Sequence, residues 1–573
     1  MRTFRLTAAL LTIFSLQAAC SGNGETTADT GEQEEDTGRR PGADSGSDDD
    51  SGEPGDADPQ DDTNAADDTG SPVDTGTDAS QPSDTGTDAG GTDVSTICRP
   101  GTRFCEGDSL RECDDAGNPG AVVATCEPGL CAPGGCVDPC AGDGKTYVGC
   151  EFWGADLDHM EPGDEKQFAM SVSNTDTELA NIRVITGDGT EVTTLVVNPG
   201  QLATIPLPRR DVPATSNGQN SYAILSDRPV TAHQFNPLNQ SGVASNDASL
   251  LIPANALGTE YMVLGWPAIR PGRVTNGRAY FTIIAATDNT TVQVTPSAPI
   301  AAGDGVPAIA AGTTTEFTLS RGEVLSLGTD RIAGQDLTGS TIFSDRPVAV
   351  FSGHECADVP VGVCCCDHLE EQLLPLSTWG NRIVAPKFEQ RGTEADIWRM
   401  TAAEDNTTIT LNPPVGAVST FVLNRGEVRE LSSAVSFVVE ATGPISMGQY
   451  MTGSGGNQIP FASYCFLSGA GDPAFTLNVP DNQWLNSYIV LTPEGFEENF
   501  LNIVAPAGSS ILLDGAPITA SPITIGSSDT VLWQQPVTAS AHRVSSDTPF
   551  GLYAYGIDCS VSYAYPGGMN LAD

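Results

Sequence analysis

Basic side chains are scarce in this chain of 573 residues: 26 Lys and Arg stand against 74 Asp and Glu, for a net charge of −48 at pH 7. Such a surface repels nucleic-acid phosphates and anionic headgroups, which excludes partners reached through a basic patch. Histidine is equally sparse, with His159, His233, His354, His368 and His542 as the whole supply. Catalytic signatures are missing too. There is no Gly-x-Ser-x-Gly elbow and no His-Glu-x-x-His, and Gly144-Lys145-Thr146 lacks the upstream glycine of a phosphate loop. Beyond the first twenty residues no apolar run approaches the ~18 residues of a membrane-spanning helix. No long stretch carries a 3.6-residue apolar period either, so helical architectures are excluded.

What is present begins with a leader. Arg2 and Arg5 precede an apolar run from Leu6 to Leu16, and Gln17-Ala18-Ala19 leads into Cys20. This reads as a signal peptide over residues 1–19 with Cys20 as the lipidated first residue, plain secretion being the alternative. Gln17 takes the place where a lipobox prefers Leu. Residues 20–97 read as a disordered acidic spacer, because 22 acids against Arg39 and Arg40, with almost no aliphatic side chain, cannot offset the chain entropy of folding. The hexapeptide Asp-Thr-Gly-Thr-Asp-Ala occurs there twice, at 74 and 84, without the ordered spacing of a calcium loop.

Cysteine is concentrated next. Cys98, Cys105, Cys113, Cys126, Cys131, Cys136, Cys140 and Cys150 crowd a short stretch rich in Gly, Pro and Asp, and residues 98–146 read as a disulfide-rich module. No Cys-x-x-Cys pair favours zinc over bridges. Six more follow at Cys356, Cys364, Cys365, Cys366, Cys465 and Cys559. Their even total fits full oxidation, with the adjacent three reaching separate partners. His354 and His368 flank that cluster. An oxidising compartment removes the thiolates a metal would need, so no metal and no cofactor is expected.

From residue 147 onward short Val-, Ile- and Thr-rich runs alternate with Gly, Pro, Asn and Asp, an all-β pattern. One phrase recurs: Ser226-Asp227-Arg228-Pro229, Ser344-Asp345-Arg346-Pro347 and Ser546-Asp547-Thr548-Pro549, with Gly443-Pro444 as a weaker copy. It reads as a turn before a core strand. A second phrase, Gly187-Asp188-Gly189-Thr190, Asp288-Asn289-Thr290, Asp405-Asn406-Thr407 and Pro506-Ala507-Gly508, reads as a hairpin turn. Four related units follow, at about 147–248, 249–370, 371–474 and 475–573. Their length suits tandem β-sandwiches, with a propeller-like closed ring as the alternative. Trp379 and Trp484, beside Leu373-Leu374-Pro375 and Val479-Pro480, are expected to pack between units.

Several phrases carry a family resemblance: Tyr147-Val148-Gly149-Cys150-Glu151-Phe152-Trp153, Gln234-Phe235-Asn236-Pro237, Ser245-Asn246-Asp247-Ala248-Ser249-Leu250, Phe351-Ser352-Gly353-His354-Glu355-Cys356, Cys366-Asp367-His368-Leu369-Glu370-Glu371-Gln372 and Ser562-Tyr563-Ala564-Tyr565-Pro566-Gly567-Gly568. Together they make residues 147–573 similar to the IgGFc-binding protein N-terminal domain family, in the form of a bacterial lipoprotein member with a Cys-rich segment. The resemblance implies a binding role, though a family carries no ligand without a site. Gly471-Asp472-Pro473 is followed by Ala474, and so does not match the self-cleaving Gly-Asp-Pro-His motif of other domains of the family's animal member; no self-cleavage is expected. The combined expectation is a lipid-anchored binding or adhesion protein at the outer membrane or cell surface. Its partner would be an extracellular protein or glycan, with no nucleic acid and no membrane contact beyond the anchor. A secreted hydrolase or a structural envelope component is the alternative.

Overall fold

The computed structural model describes residues 98–572, apart from 127–130, 133–134, 137, 141–144, 161–164, 240–242, 244, 270–276, 364–365, 456–458 and 460–469. The leader, Cys20 and the acidic tract fall outside these residues, as do Cys364, Cys365 and Cys465.

Each unit is organised by one strand far longer than its neighbours: Ser221–Asn236, Thr341–Ala357, Phe437–Tyr450 and Ser540–Asp558. In the first unit the leading half of the long strand pairs with Gly149–Ala155 and Ala180–Thr186, and the trailing half with Ala169–Asn174 and Asp247–Leu251. Glu191–Val197 and Leu202–Pro206 add the outer edges. Two antiparallel sheets thus share one bent strand and bury their facing sides, which is a β-sandwich. The second unit repeats the scheme with Gly258–Met262 and Thr290–Thr295 on the leading half, Ala279–Ala285 and Asp367–Gln372 on the trailing half. Gly380–Ala385, Thr407–Val415, Asp396–Ala402 and Phe475–Leu477 do so in the third. Leu485–Thr492, Ile511–Leu513, Glu498–Pro506 and Val561–Pro566 do so in the fourth.

The Ser-Asp-x-Pro phrase is not a turn before a strand. It sits inside the long strand where that strand passes from one sheet to the other, at a register shift between Leu225 and Val230 in the first unit. A bulge is where a strand tolerates a residue that has no N–H. Its aspartate reaches sideways: Asp227 accepts the N–H of Asn181 at 2.8 Å, Asp345 that of Thr291 at 2.7 Å and Asp547 that of Ser510 at 2.9 Å. In the third unit Thr442 takes the same place, accepting from Thr408 at 2.9 Å. The second phrase is corrected as well. In the middle units the strands on either side of Asn289 and Asn406 pair with opposite halves of the long strand and not with each other, so these residues cross between sheets. Both adopt positive φ, 54° and 59°, a conformation Asn tolerates. Only the first unit's Gly187–Thr190 lies in a true hairpin.

Each unit ends in a closing strand, and the four of these, Asp247–Leu251, Asp367–Gln372, Phe475–Leu477 and Val561–Pro566, meet around a common axis, each touching the next and the last touching the first. The sandwiches therefore stand in a closed ring, joining the two architectures that the repeat length allowed. At three junctions a proline lies on a strand glycine: a Cβ on Gly149, Gly258 or Gly380 would come within 2.5 Å of Pro253, Pro375 or Pro480. The ring is sealed where its ends meet. Thr146 bridges Asn570, Tyr147 donates its N–H to the Met569 carbonyl at 3.2 Å, and the Tyr147 hydroxyl accepts the Ile489 N–H at 3.0 Å. Trp379 and Trp484 are buried in repeated positions, each indole N–H donating to a carbonyl five residues back, Leu374 and Val479.

Before the ring stands a small three-stranded sheet, Arg103–Glu106, Ser109–Cys113 and Pro119–Thr125. Its bridges are Cys98–Cys113, Cys105–Cys131 and Cys126–Cys136. The fourth, Cys140–Cys150, leaves the module and enters the first strand of the ring.

Candidate functional site

The closing strands carry charged sequences into the buried centre of the ring. Asp247, Asp367, Glu370, Glu371, His354 and His368 are all buried, as are Asp472 and His159. The Asp247 carboxylate is the hub. It accepts N–H groups from Ala248 at 2.9 Å, Glu370 at 3.2 Å and Phe475 at 3.0 Å, and the Ala564 backbone also reaches it. One side chain of the first unit therefore binds the backbone of the other three. Glu370 accepts from Gln234 at 3.0 Å and from Ser249 at 3.3 Å, and Gln372 accepts the Ile252 N–H at 2.8 Å, all across the first seam.

Burial raises the pKa of Asp247, Asp367, Glu370 and Glu371 well above the carboxylate range, and neighbouring carboxylates push the last three further. Asp472 is pushed up to about 6 by burial, against the Ser454 bonds and the Arg391 charge. The histidines move the other way. Burial holds His354 down to about 4 and His233 to about 3, and burial also lowers His368 well below the usual imidazole range beside His159, with which it stacks at 4.7 Å. Imidazoles held neutral and acids held protonated by burial thus share the axis, with Asp247 and Glu370 in hydrogen bonds. Among the described residues, no group of three or more His, Cys, Asp or Glu is placed to hold a metal ion.

Cys356 and Cys366 are bonded to each other beside this cluster, and Cys559 is also disulfide-bonded. The disulfide and histidines marked in the sequence thus belong to the interior of the ring.

A concave feature that faces solvent lies elsewhere, on the seam between the first and fourth units. It is a groove of about 730 Å³ whose walls include Gln201, Thr204 and Asn239 on one side and Pro493, Glu494 and Ser540 on the other. Asn239 spans the seam, donating to the Gly495 carbonyl at 2.9 Å. Sequence reasoning missed this groove, since its sides are about 300 residues apart and carry no shared motif. It also missed the axis, although a signal existed: Asp367 and Asp472 each stand eight residues before a junction proline, Pro375 and Pro480.

The fold is thus a closed ring of β-sandwich repeats with a buried polar axis and a solvent-facing seam. The sequence model of the IgGFc binding protein family matches residues 247–556, more than half of the chain, and the chain belongs to that family. It is 26% identical over 365 residues to the IgGFc-binding protein of Homo sapiens, an alignment covering 60% of this chain and 6% of the human one. The chain thus spans a small fraction of that relative's length. No solved structure matches it.

Proposed function

We propose that the chain is a cell-surface binding protein, anchored through lipidated Cys20 and held away from the membrane by the acidic tract 20–97, whose ring recognises an extracellular protein or glycan. The observation that carries the reading is the contrast between the two sites. Among the described residues at the Cys356 cluster, His354, Glu355, Asp367 and His368 are buried inside the ring, while the groove between Gln201 and Glu494 stands open. Buried His354 and His368 speak against a hydrolase, since a general base must reach the proton it removes. Membership of a family whose human member is named for IgG Fc binding supports a protein ligand, with Fc itself as one arm of the test.

The experiment is a crosslinking pull-down from extracellular fluid, alongside a glycan array and immobilised Fc, using residues 98–573 and the seam variant Asn239→Ala with Glu494→Lys. Retention of one ligand class by the wild type, lost in the variant, is the expected result. Equal retention by both moves recognition off the groove, and no retention in any arm removes the binding role. Labelling with a palmitate analogue, present in the full chain and lost in Cys20→Ala, tests the anchor.

A further inference from the structure

Lysine is the rarest charged residue here: only Lys145, Lys166 and Lys387 occur, against 23 arginines. One of the three is placed where an arginine would not do. Lys387 is buried at 6% exposure in the third unit, just after strand Gly380–Ala385, and its ammonium lies 2.9 Å from Oδ1 of Asp396, the first residue of strand Asp396–Ala402. Glu394, wholly buried, stands 3.8 Å from the same nitrogen.

The two oxygens of Asp396 are treated differently. Oδ2 accepts the Phe388 N–H at 2.8 Å and the Gln449 side-chain N–H at 2.9 Å, two donors placed as an oxyanion hole is. Oδ1 faces the lysine. The nucleophile is also held in place: the Lys387 N–H donates to Ser436 at 3.0 Å, and its carbonyl accepts from Asn502 at 3.0 Å and Gln534 at 3.1 Å on the fourth unit. Phe388 packs on Tyr555 at 4.7 Å and Tyr555 on Phe500 at 5.3 Å, an aromatic wall on one side, while Glu394 is held by the Arg391 N–H at 2.9 Å and the Gln390 side chain at 3.0 Å and lies 3.6 Å from the Arg391 guanidinium. A desolvated ion pair gains little from its own attraction. An amine fixed against a polarised carboxyl has the effective concentration that condensation needs.

We propose that Lys387 and Asp396 form an intramolecular isopeptide bond, with Glu394 carrying one of the protons. The ammonium gives one proton to Oδ1 of Asp396, 2.9 Å away, which makes the carboxyl an electrophile; the freed lone pair attacks Cγ while the Phe388 and Gln449 donors hold the charge that develops on Oδ2, and Glu394 takes a second proton from the nitrogen. The C–N bond forms and the Cγ–Oδ1 bond breaks. Oδ1 leaves as water with two of the three ammonium protons, one of them returned by Glu394, so no oxidant or co-reactant is required. Two buried charges become one neutral amide that ties the loop between the two strands.

The test is tryptic digestion of the denatured, reduced and alkylated protein followed by tandem mass spectrometry. Trypsin cuts after Arg382, Arg391 and Arg399, so the bond joins peptide 383–391 to peptide 392–399 in one species lighter by one water than their sum, uncut after Lys387. Separate peptides 383–387 and 392–399 from fully folded protein would overturn the proposal. Glu394→Gln is expected to yield the separate peptides from a protein that still melts cooperatively, and linkage at wild-type level in that variant would remove Glu394 from the mechanism. Asp396→Asn is expected to give the same linked pair, now by loss of ammonia.

Discussion

The carboxylate of Asp247 accepts the backbone N–H of Phe475 at 3.0 Å across 228 residues of sequence, and so joins opposite members of the ring. That bond, with those to Ala248 and Glu370, makes one side chain the common acceptor of the axis. Asp247→Ala would leave these buried donors unpaired. Each buried donor left without its acceptor costs about 1–3 kcal/mol. Denaturant titration is expected to show that loss for Asp247→Ala and a smaller one for Asp247→Asn, which keeps an acceptor oxygen.

Acid should weaken the contribution of the buried histidines, while Asp247, Asp367, Glu370 and Glu371, whose pKa values burial raises, act in the opposite sense. His354 and His233 are held at about 4 and about 3 by burial, while an unfolded histidine titrates near ~6.5. Between those values the unfolded chain binds protons that the folded chain does not, so stability falls as pH drops through that window. The shift on His354 corresponds to about 3 kcal/mol. Asp472 opposes this. Raised to about 6, it keeps a proton in the folded form between pH ~4 and 6 that the unfolded chain has lost, so its contribution improves on acidification. The change in melting temperature from pH 7 to 4 should therefore be less negative in His354→Gln than in the wild type, and more negative in Asp472→Asn.

The Cys356–Cys366 bridge closes a short loop between a long strand and its closing strand. Replacing both cysteines with serine should cost about 2–3 kcal/mol by the loop-entropy estimate. Hydrogen exchange is expected to rise first in the loop and at the start of strand Asp367–Gln372. Protection there unchanged from wild type would show that packing alone holds the axis.

Asp345→Ala removes an exposed acceptor at the bend of the second unit, where Thr291 would be left to water. The loss should be at most about 1 kcal/mol. A shift of the melting temperature by a degree or two is the expected reading, with ligand retention unaltered. Binding abolished at unchanged stability would turn the repeated phrase into a recognition element.

The repeats were legible because Pro229, Pro347 and Pro549 stand at the same bulge of the same long strand, and a proline inside a strand needs special surroundings. What the phrase does was not legible, since a turn and a bulge draw on the same residues. His368-Leu369-Glu370-Glu371-Gln372 reads as a solvated edge by composition. It is buried because both faces of that closing strand meet other units, a condition set by ring closure and invisible locally. The phrases Ser245–Leu250 and Cys366–Gln372, which carried the family resemblance, turn out to hold the groups that meet at the axis. The groove escaped notice for the opposite reason, its walls being a mixture of strand-edge and loop residues that share no motif and meet at the seam.

The Cys140–Cys150 bridge decides where a mechanical load enters the ring. Tension arriving through the preceding module would otherwise reach Thr146 and Tyr147 first and peel them from Asn570 and Met569, one contact at a time. With the bridge in place the covalent path jumps from residue 140 to residue 150. The pull then falls on strand Gly149–Ala155, whose row of hydrogen bonds to Ser221–Asn236 must shear together. The seal of the ring is left slack, outside the line of force.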